Sequence, residues 1–247
     1  MLKEERFTKI LQYVNEMKYA SLEDLMTLTS SSESTIRADL VELARNKKIV
    51  RLRGGAQALD IHSSSYEMSV STKEKLEAAS KRKIGEYAAS LIEPKSLIYI
   101  DAGTSTSALA KEIHAKDITI VTNSNAIGEH LTKEGFDVYV TGGKIKLTTD
   151  AYTGSYTLDF ISRFKFDAGF FGVNAISEKE GLTTPDFEEA QVKKQAMSRC
   201  TKVYVLADHT KFNSSSAVTF STLDNLTIIT DKRPSEGYKQ VDIKEAR

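Results

Sequence analysis

Residues 34–55, STIRADLVELARNKKIVRLRGG, decide the first fold expected in this chain. In the first half, Ile36, Leu40 and Leu43 recur every three or four residues, which predicts a helix over 33–45 with one buried stripe. In the second half, apolar and basic residues alternate over 49–53 and end at two glycines, as in one strand of a hairpin. The stretch therefore predicts a helix followed by a basic hairpin.

Two more helices are predicted ahead of this stretch. Apolar residues at three- and four-residue spacings over 3–18 predict the first helix. Ser21 and Asp24 have the spacing of a capping box, so a short second helix is expected to begin there. Three short helices and a basic hairpin predict a winged helix-turn-helix, whose recognition helix enters the major groove of DNA. A small helical module for protein interactions is the alternative.

Charge is distributed unevenly along the chain. Lys plus Arg and Asp plus Glu number 34 each, and this overall neutrality argues mildly against nucleic-acid binding. Within 35–55, however, there are six basic residues and two acidic ones, and such a cationic run suits contacts with phosphate groups. The candidate DNA-binding residues are Ser34, Thr35, Arg37, Ala38, Arg45, Lys47, Lys48, Arg51 and Arg53.

Length and composition exclude several classes of protein. The 247 residues suffice for two domains, expected at 1–58 and 76–247 with a linker over 59–75. No apolar run approaches the ~18 residues of a membrane helix, and the charged start MLKEERF does not fit a signal peptide. The single Cys200, which is expected on a helix over 188–200, allows no internal disulfide, and the four histidines share no metal-ligand spacing. We expect a cytoplasmic protein with no metal, no cofactor and no membrane partner.

The second half of the chain alternates apolar runs with helical stretches. The runs lie at 97–100, 118–121, 138–140, 168–171, 203–206 and 226–229. Such alternation predicts an α/β domain with a mainly parallel sheet that is covered on both faces.

Polar residues follow three of these predicted strands. They are the segments 101–107, which opens a helix predicted at 108–112, then 122–125 and 141–144. Ligands of parallel sheets bind beyond the carboxyl ends of the strands, and glycine, hydroxyl groups and a helix N-terminus suit phosphate. Helix capping and turn formation are the alternative explanation of the same residues.

Residues 35–56, TIRADLVELARNKKIVRLRGGA, resemble the signature of DeoR-type repressors, and the resemblance covers 3–58. It implies that Ser34, Thr35 and Arg37 read or flank bases, while Arg51 and Arg53 contact the DNA backbone. The family's second arginine is Ala38 here, so one contact is missing and operator preference or affinity is expected to differ.

The second half also resembles the DeoR sensor domain, which is similar in fold to ribose-5-phosphate isomerase and CoA transferases. The matching pieces, between 81 and 212, are DAGTSTS, VTNS, VTGGK, FDAGFFGVN, GLTTPDFEEAQVKKQAM and VLADHTKF. This resemblance implies a phosphorylated sugar as effector. The implied effector-binding residues are Asp101, Gly103, Thr104, Ser105, Thr106, Asn123, Gly143, Lys144, Asp167, Asn174, Glu188 and Lys211.

The resemblance further implies a repressor of sugar utilisation that binds double-stranded operator DNA as a homo-oligomer, either a dimer or a tetramer. The segment TTPDFEEA is similar to that of fructose-operon repressors and suggests fructose 1-phosphate. Control of lactose or galactose use through tagatose 6-phosphate is one alternative. The other is a sugar-phosphate isomerase with Asp167, Glu188 and Lys193 as acid–base and electrostatic groups. We expect a regulator and not an enzyme, since the segment DAGFFGVN lacks the second acid of the isomerases.

Overall fold

The computed structural model describes residues 2–17, 19–46, 48–52, 54–58, 73 and 76–246. It divides into two compact units, Met1–Met68 and Ser69–Arg247. The candidate residues Lys47 and Arg53, and all of the predicted linker 59–75 except Lys73, lie outside the described residues. In the described part, no helix combines the length and the apolar character that a membrane span requires.

The first unit consists of three helices and a small antiparallel sheet. Its elements are α1 (Lys3–Met17), β1 (Tyr19–Ser21), α2 (Leu22–Thr29), α3 (Glu33–Arg45), β2 (Ile49–Leu52) and β3 (Gly55–Ala58). The strand order is β1-β3-β2, so the predicted hairpin is confirmed and β1 is a strand that the sequence pattern did not predict. The capping box at Ser21 and Asp24 is also confirmed.

A single core holds α3 against the other two helices. The stripe of Ile36, Leu40 and Leu43 is buried and packs with residues of α1, α2 and the sheet. Beside it, the guanidinium group of Arg6 on α1 donates two hydrogen bonds to the buried carboxylate of Asp39 on α3. Because a buried carboxylate is stable only when it is paired, this contact fixes α3 relative to α1.

The second unit is an α/β domain, as expected. Its elements are α4 (Ala78–Ala89), β4 (Leu97–Ile100), α5 (Thr104–Ala110), β5 (Thr119–Thr122), α6 (Asn125–Lys133), β6 (Asp137–Val140), β7 (Lys144–Lys146), β8 (Ala151–Thr153), α7 (Ser155–Ser162), β9 (Phe166–Gly172), β10 (Ala175–Ser177), β11 (Gly181–Thr184), α8 (Phe187–Met197), β12 (Cys200–Leu206), a 3₁₀ turn (His209–Lys211), β13 (Val218–Ser221), β14 (Thr227–Thr230) and β15 (Asp242–Glu245). Seven of these strands form one parallel sheet in the order β15-β14-β12-β9-β4-β5-β6.

The six apolar runs are all strands of this sheet, and β15 is the seventh, which was not predicted. Alternate residues of β4 pack on opposite faces: Ile98 and Ile100 face α4 and α5, whereas Tyr99 packs with residues of α7 and α8. Both faces of the sheet are therefore covered. The loops that follow the parallel strands lie together at its carboxyl edge.

Three expectations about helices are wrong. The helix after β4 begins at Thr104 and not at 108, because Thr104, Ser105 and Thr106 form its first turn. The helix predicted over 188–200 is α8, which ends at Met197. Cys200 is therefore not on that helix but is the first residue of β12. Hydroxyl residues near a helix start satisfy the first backbone groups, so polarity alone did not separate helix from loop.

Candidate functional site

The exposed face of α3 carries four of the nine candidate DNA-binding residues. Ser34, Arg37, Ala38 and Arg45 are exposed, on the side away from the buried stripe, as the spacing predicts. Arg37 forms an exposed ion pair with Glu33 one turn earlier, with Nη2 2.6 Å from Oε1. Such a pair contributes only about 0.3–0.5 kcal/mol, so the guanidinium group can change partner at little cost.

Hydroxyl groups cluster at the start of α3. Ser32 caps the helix, and its Oγ lies 3.0 Å from Oγ of Ser34 and 2.8 Å from Oγ1 of Thr35. Thr35 is half-buried, unlike Ser34. The cap thus sets the positions of both candidate hydroxyl groups and leaves Ser34 the more accessible of the two.

The basic hairpin continues this surface in the first unit. Lys48 and Arg51 are exposed, while Ile49 is buried under the sheet. Val50 departs from the expected alternation, because it is 44% exposed although apolar.

In the second unit, the polar residues that follow β4, β5 and β6 lie together, because these strands are neighbours in the sheet. Asn123, directly after β5, is buried and joins two loops. Its Oδ1 accepts from the backbone N–H of Ala102 at 2.9 Å, and its Nδ2 donates to the carbonyl oxygen of Tyr152 at 3.3 Å. The side chain therefore braces the carboxyl edge of the sheet.

Asp101, directly after β4, forms a buried ion pair with Lys193 of α8. Its Oδ2 also accepts from the backbone N–H of Gly172 at 3.0 Å, and Nζ of Lys193 donates to the carbonyl oxygen of Gly172 at 3.1 Å. Burial raises the pKa of Asp101, while the charge of Lys193 acts in the opposite direction. The pair ties α8 to the ends of β4 and β9.

The predicted phosphate loop is the first turn of α5, with Gly103 as the residue before the helix. Ser105 and Thr106 are buried, and the hydroxyl group of Thr106 donates to the carbonyl oxygen of Gly103 at 2.9 Å. The backbone N–H groups at the start of a helix are partial positive charges, which favour an anion.

The segment from Gly143 to Lys144 reaches the same edge through the β7–β8 hairpin. Gly143 has φ +113, and a Cβ atom there would lie 2.4 Å from Oγ1 of Thr157, so only glycine fits. Lys144 pairs with Glu188 at 3.0 Å, and Thr153 also donates to Glu188. The hydrogen bonds from Lys144 and Thr153 lower the pKa of Glu188.

Asn174 and Lys211 lie on two further loops of this edge. Asn174 is half-buried, and its Oδ1 accepts from Oγ1 of Thr184 at 3.1 Å. Lys211 is in the 3₁₀ turn after β12, near the charges of Lys81 and Asp208.

The placement of Asp167 among the sugar-binding residues is wrong. Asp167 is the second residue of β9, and its carboxylate accepts from the backbone N–H of Leu97 at the start of β4. It therefore lies at the amino edge of the sheet, opposite to the residues above. The apolar run 168–171 located the strand correctly, but Asp167 precedes this run and therefore lies at the amino end of β9.

Sequence reasoning missed three buried groups at the carboxyl edge. Lys81, Lys193 and Asp208 are all at most 5% exposed. Lys193 is named from the sequence only as a group of the enzyme alternative, and Lys81 is not among the candidate residues. A lysine on the apolar side of a helix, as Lys81 is relative to Ile84 and Ala88, is the available signal.

His209 contacts Asp231, with Nδ1 2.8 Å from Oδ2. Among the described residues, no three His, Cys, Asp or Glu side chains are grouped so that they could hold a metal ion.

Two family models match the chain. The DeoR-like helix-turn-helix domain matches residues 6–62, and the DeoR C terminal sensor domain matches residues 76–232. Of the solved structures, ribose 5 phosphate isomerase A from Neisseria gonorrhoeae is similar with a TM-score of 0.41 and 18% identity, covering 54% of this chain and 53% of that one.

Curated relatives match over almost the whole length. The HTH-type transcriptional repressor GlcR of Bacillus subtilis is 34% identical over 96% of this chain and 92% of its own length. The uncharacterized HTH-type transcriptional regulator FruR of the same organism is 36% identical over 93% of this chain and 91% of its own length. The lactose phosphotransferase system repressor of Staphylococcus aureus is 30% identical over 93% and 92%. The chain thus belongs to the DeoR family of transcriptional repressors of sugar metabolism, and it is a regulator and not an enzyme.

Proposed function

We propose that this chain represses a fructose utilisation operon and that fructose 1-phosphate releases it from its operator. The observation that carries the proposal is the combination, in one chain, of an exposed basic face on α3 with a polar sheet edge suited to a phosphorylated sugar. The first site binds double-stranded operator DNA, and the second controls that binding.

On the DNA side, the proposal rests on the exposure of α3 and the hairpin. We assign Arg37 to base edges in the major groove, because it is exposed and lies in the early part of the proposed recognition helix. Lys48 and Arg51 are placed for phosphate contacts, which position a protein but do not select a sequence.

On the effector side, the first turn of α5 and Lys211 are assigned to the phosphate group. The sugar is assigned to Asp101, Asn123, Gly143, Lys144, Asn174 and Glu188. Asp101, Lys144 and Glu188 are already paired within the chain, so the sugar hydroxyl groups must join or replace existing hydrogen bonds. No cofactor or metal is required by this assignment.

The choice of fructose rests on residues 183–190, TTPDFEEA, which run from the end of β11 into α8. Asp186 caps α8 and pairs with Lys146 at 3.0 Å, so this segment closes on the β7–β8 hairpin beside Lys144 and Glu188. The 30% identity to the lactose phosphotransferase system repressor favours the second candidate, a response to tagatose 6-phosphate.

We further propose that the second unit forms the homo-oligomer that a paired operator requires. The large apolar side chains that are exposed in the described part of this unit all fall between 139 and 187. They are Tyr139, Val140, Ile145, Leu147, Tyr156 and Phe187. Exposed apolar side chains that form one patch are typical of a protein interface, and Tyr139 and Val140 lie on β6, an edge strand of the sheet.

The test is a titration of the full chain bound to labelled operator, followed by fluorescence anisotropy. The titrants are fructose 1-phosphate, fructose 6-phosphate, tagatose 6-phosphate and ribose 5-phosphate. Release by fructose 1-phosphate alone supports the proposal, and release by tagatose 6-phosphate favours the second candidate. If no phosphorylated sugar changes operator binding, the effector assignment is wrong.

Variants connect this response to the site. Thr104→Ala and Lys211→Ala should weaken the response while operator binding without effector stays at the wild-type level. Lys133→Ala is the matched control, because Lys133 is an exposed lysine at the end of α6.

A further inference from the structure

Lys81 of α4 is a buried lysine with no role in the sites described so far. It is 5% exposed, and its ammonium group donates to the main-chain carbonyl oxygen of Leu76 at 2.6 Å and to that of Lys73. Both carbonyl groups belong to the chain just ahead of α4, where the predicted linker ends. A buried ammonium group is stable only with such partners, so Lys81 and these carbonyl groups hold each other in place.

Lys81 lies level with the start of α5. Helix α4 runs from the carboxyl edge to the amino edge of the sheet, and α5 leaves β4 at the carboxyl edge and runs the same way. The two helices touch at Gly85, where a Cβ atom would lie 2.8 Å from the backbone of Ala108. Four residues before this contact, α4 carries Lys81 and α5 carries Thr104. One helical turn therefore separates the contact from both Lys81 and the proposed phosphate site.

The charged groups around Lys81 would favour the binding of an anion. Lys211 and Asp208 face it from the end of β12, and Lys73 and Glu77 face it from its own segment. Burial and then the charge of Lys211 lower the pKa of Lys81 to about 8. A phosphate group carries close to two negative charges at neutral pH and can accept from both Lys81 and Lys211.

Glu77, the residue that joins Leu76 to α4, is in an unfavourable backbone conformation. Glu77 has φ 52 and ψ 37, in the left-handed region that side chains other than glycine seldom adopt. Its carbonyl oxygen accepts from the backbone N–H of Lys81 at 2.9 Å, and its carboxylate accepts from Ser80. A turn that depends on its contacts in this way can relax when one of them is lost.

We propose that Lys81 exchanges partners when the effector binds: its ammonium group leaves the carbonyl oxygens of Lys73 and Leu76 and binds the effector's phosphate group beside Lys211. This rests on the proposed response to a sugar phosphate. The exchange loosens the chain ahead of α4, which leads to the DNA-binding unit. Lys81 is thus the positioning residue through which binding at the sheet edge changes operator affinity, since the segment has two states and the effector favours one of them.

The experiment compares the full-length wild type with Lys81→Met and with Lys83→Met, which removes an exposed lysine of the same helix. Hydrogen exchange of a peptide spanning 73–81 reports on the segment, and calorimetry reports on fructose 1-phosphate binding. Without effector, Lys81→Met should exchange about tenfold faster over this peptide, and it should bind fructose 1-phosphate roughly tenfold more weakly, as expected for loss of one charged hydrogen bond. Lys83→Met should match the wild type in both.

In the wild type, saturating fructose 1-phosphate should speed exchange of the same peptide, while Lys81→Met should show no further increase. Unchanged exchange in the effector-bound wild type overturns the proposal even if Lys81→Met does not fold. So does a folded Lys81→Met with wild-type exchange and affinity.

If the wild type binds no sugar phosphate, the proposed function fails, and the site is tested with inorganic phosphate against sodium chloride of equal ionic strength. If phosphate speeds hydrogen exchange of the peptide 73–81 in the wild type but not in Lys81→Met, the proposed change of partners by Lys81 is supported. If the wild-type peptide shows the same hydrogen-exchange rate in both salts, the proposal is overturned.

Discussion

The two units place their charged groups in opposite ways. In the first unit, Arg37 and Arg51 stand exposed on α3 and the hairpin, and the pair of Arg37 with Glu33 is an exposed contact within one helix. In the second unit, Asp101 and Lys193 are buried and bonded to each other at the sheet edge. A surface contact of the first kind is readily exchanged for a phosphate or a base, whereas a buried pair is not.

This difference between exposed and buried charges matches the two tasks of the chain, which are recognition of DNA by the first unit and response to an effector by the second. The DNA-binding face is already formed before the ligand arrives, because the Arg6–Asp39 pair and the core fix α3. At the proposed effector site, a ligand must compete with bonds that hold loops and helices together, so we expect binding there to change the structure around it. A sensor needs this property, since an effector shifts an equilibrium only by its different affinities for two states.

The largest effect is expected when the buried pair loses its cation. Lys193→Met leaves the carboxylate of Asp101 buried without its partner and should lower the free energy of unfolding by about 3–5 kcal/mol. Urea unfolding followed by circular dichroism measures it. Lys133→Met, which removes an exposed pair with Glu129, should cost less than about 0.5 kcal/mol. Similar values for the two variants would show that the contrast between buried and exposed pairs does not hold.

A smaller effect is expected from glycine at the sheet edge. Gly143→Ala places a Cβ atom 2.4 Å from Oγ1 of Thr157 at a residue with φ +113. The strained backbone alone should lower the free energy of unfolding by about 1–3 kcal/mol, and the clash should add to this loss. Gly135→Ala is the matched control, because Gly135 has φ +86 with no atom within 4 Å of the added carbon. Thermal unfolding should rank Gly143→Ala clearly below Gly135→Ala, and equal midpoints would contradict a close approach at Gly143.

The elements that could be predicted from the sequence are those whose apolar residues recur with a clear period or form a continuous run. The stripe of Ile36, Leu40 and Leu43 and the apolar runs of the parallel sheet follow directly from burial, which is why those elements were found. The short strands β7, β8 and β10 have too few residues to show a period, and they were missed. Element boundaries failed for a related reason, since the hydroxyl residues after Gly103 suit a loop or a helix start equally well.

Side-chain partners could not be predicted, because they depend on the three-dimensional arrangement. Asp39 was counted among the acidic residues of the basic stretch, yet it is buried and paired with Arg6, 33 residues earlier. Asp101 was found as a polar residue after a strand, but its pairing with Lys193 joins positions 92 residues apart. Asp167 was misplaced because the resemblance was followed although this residue precedes the predicted strand 168–171, and in a parallel sheet such a residue lies at the amino edge.

On the DNA side, the two arginines should be distinguishable. Arg37→Ala should cost about 1–3 kcal/mol of operator affinity and relax selectivity at one base position, provided that Arg37 makes a bidentate base contact. Arg51→Ala should instead weaken binding to all sequences alike and reduce the salt slope by about 0.9, as for loss of one phosphate contact. Anisotropy titrations of operator and mutated operators at several salt concentrations separate the two. A uniform loss for Arg37→Ala would place it on the backbone.

The smallest effect concerns the exposed partner of Arg37. Glu33→Gln removes a negative charge near the bound DNA and frees the guanidinium group, so operator affinity should rise by roughly twofold, which corresponds to a weak exposed pair of about 0.3–0.5 kcal/mol. The free energy of unfolding should change by no more than that amount. Anisotropy titration at low salt measures the first quantity and urea unfolding the second.

Glu129→Gln provides the matched control, because Glu129 forms the same kind of exposed pair with Lys133, four residues later, on α6 of the second unit. It should change stability as little as Glu33→Gln and leave operator affinity unaltered. Raised salt should reduce the gain of Glu33→Gln, since screening weakens the repulsion between Glu33 and the phosphate groups. Weaker operator binding by Glu33→Gln would mean that Glu33 orients Arg37 toward its base and does not compete for it. The exposed pair would then be part of the recognition surface, and the contrast between the two units would be one of degree.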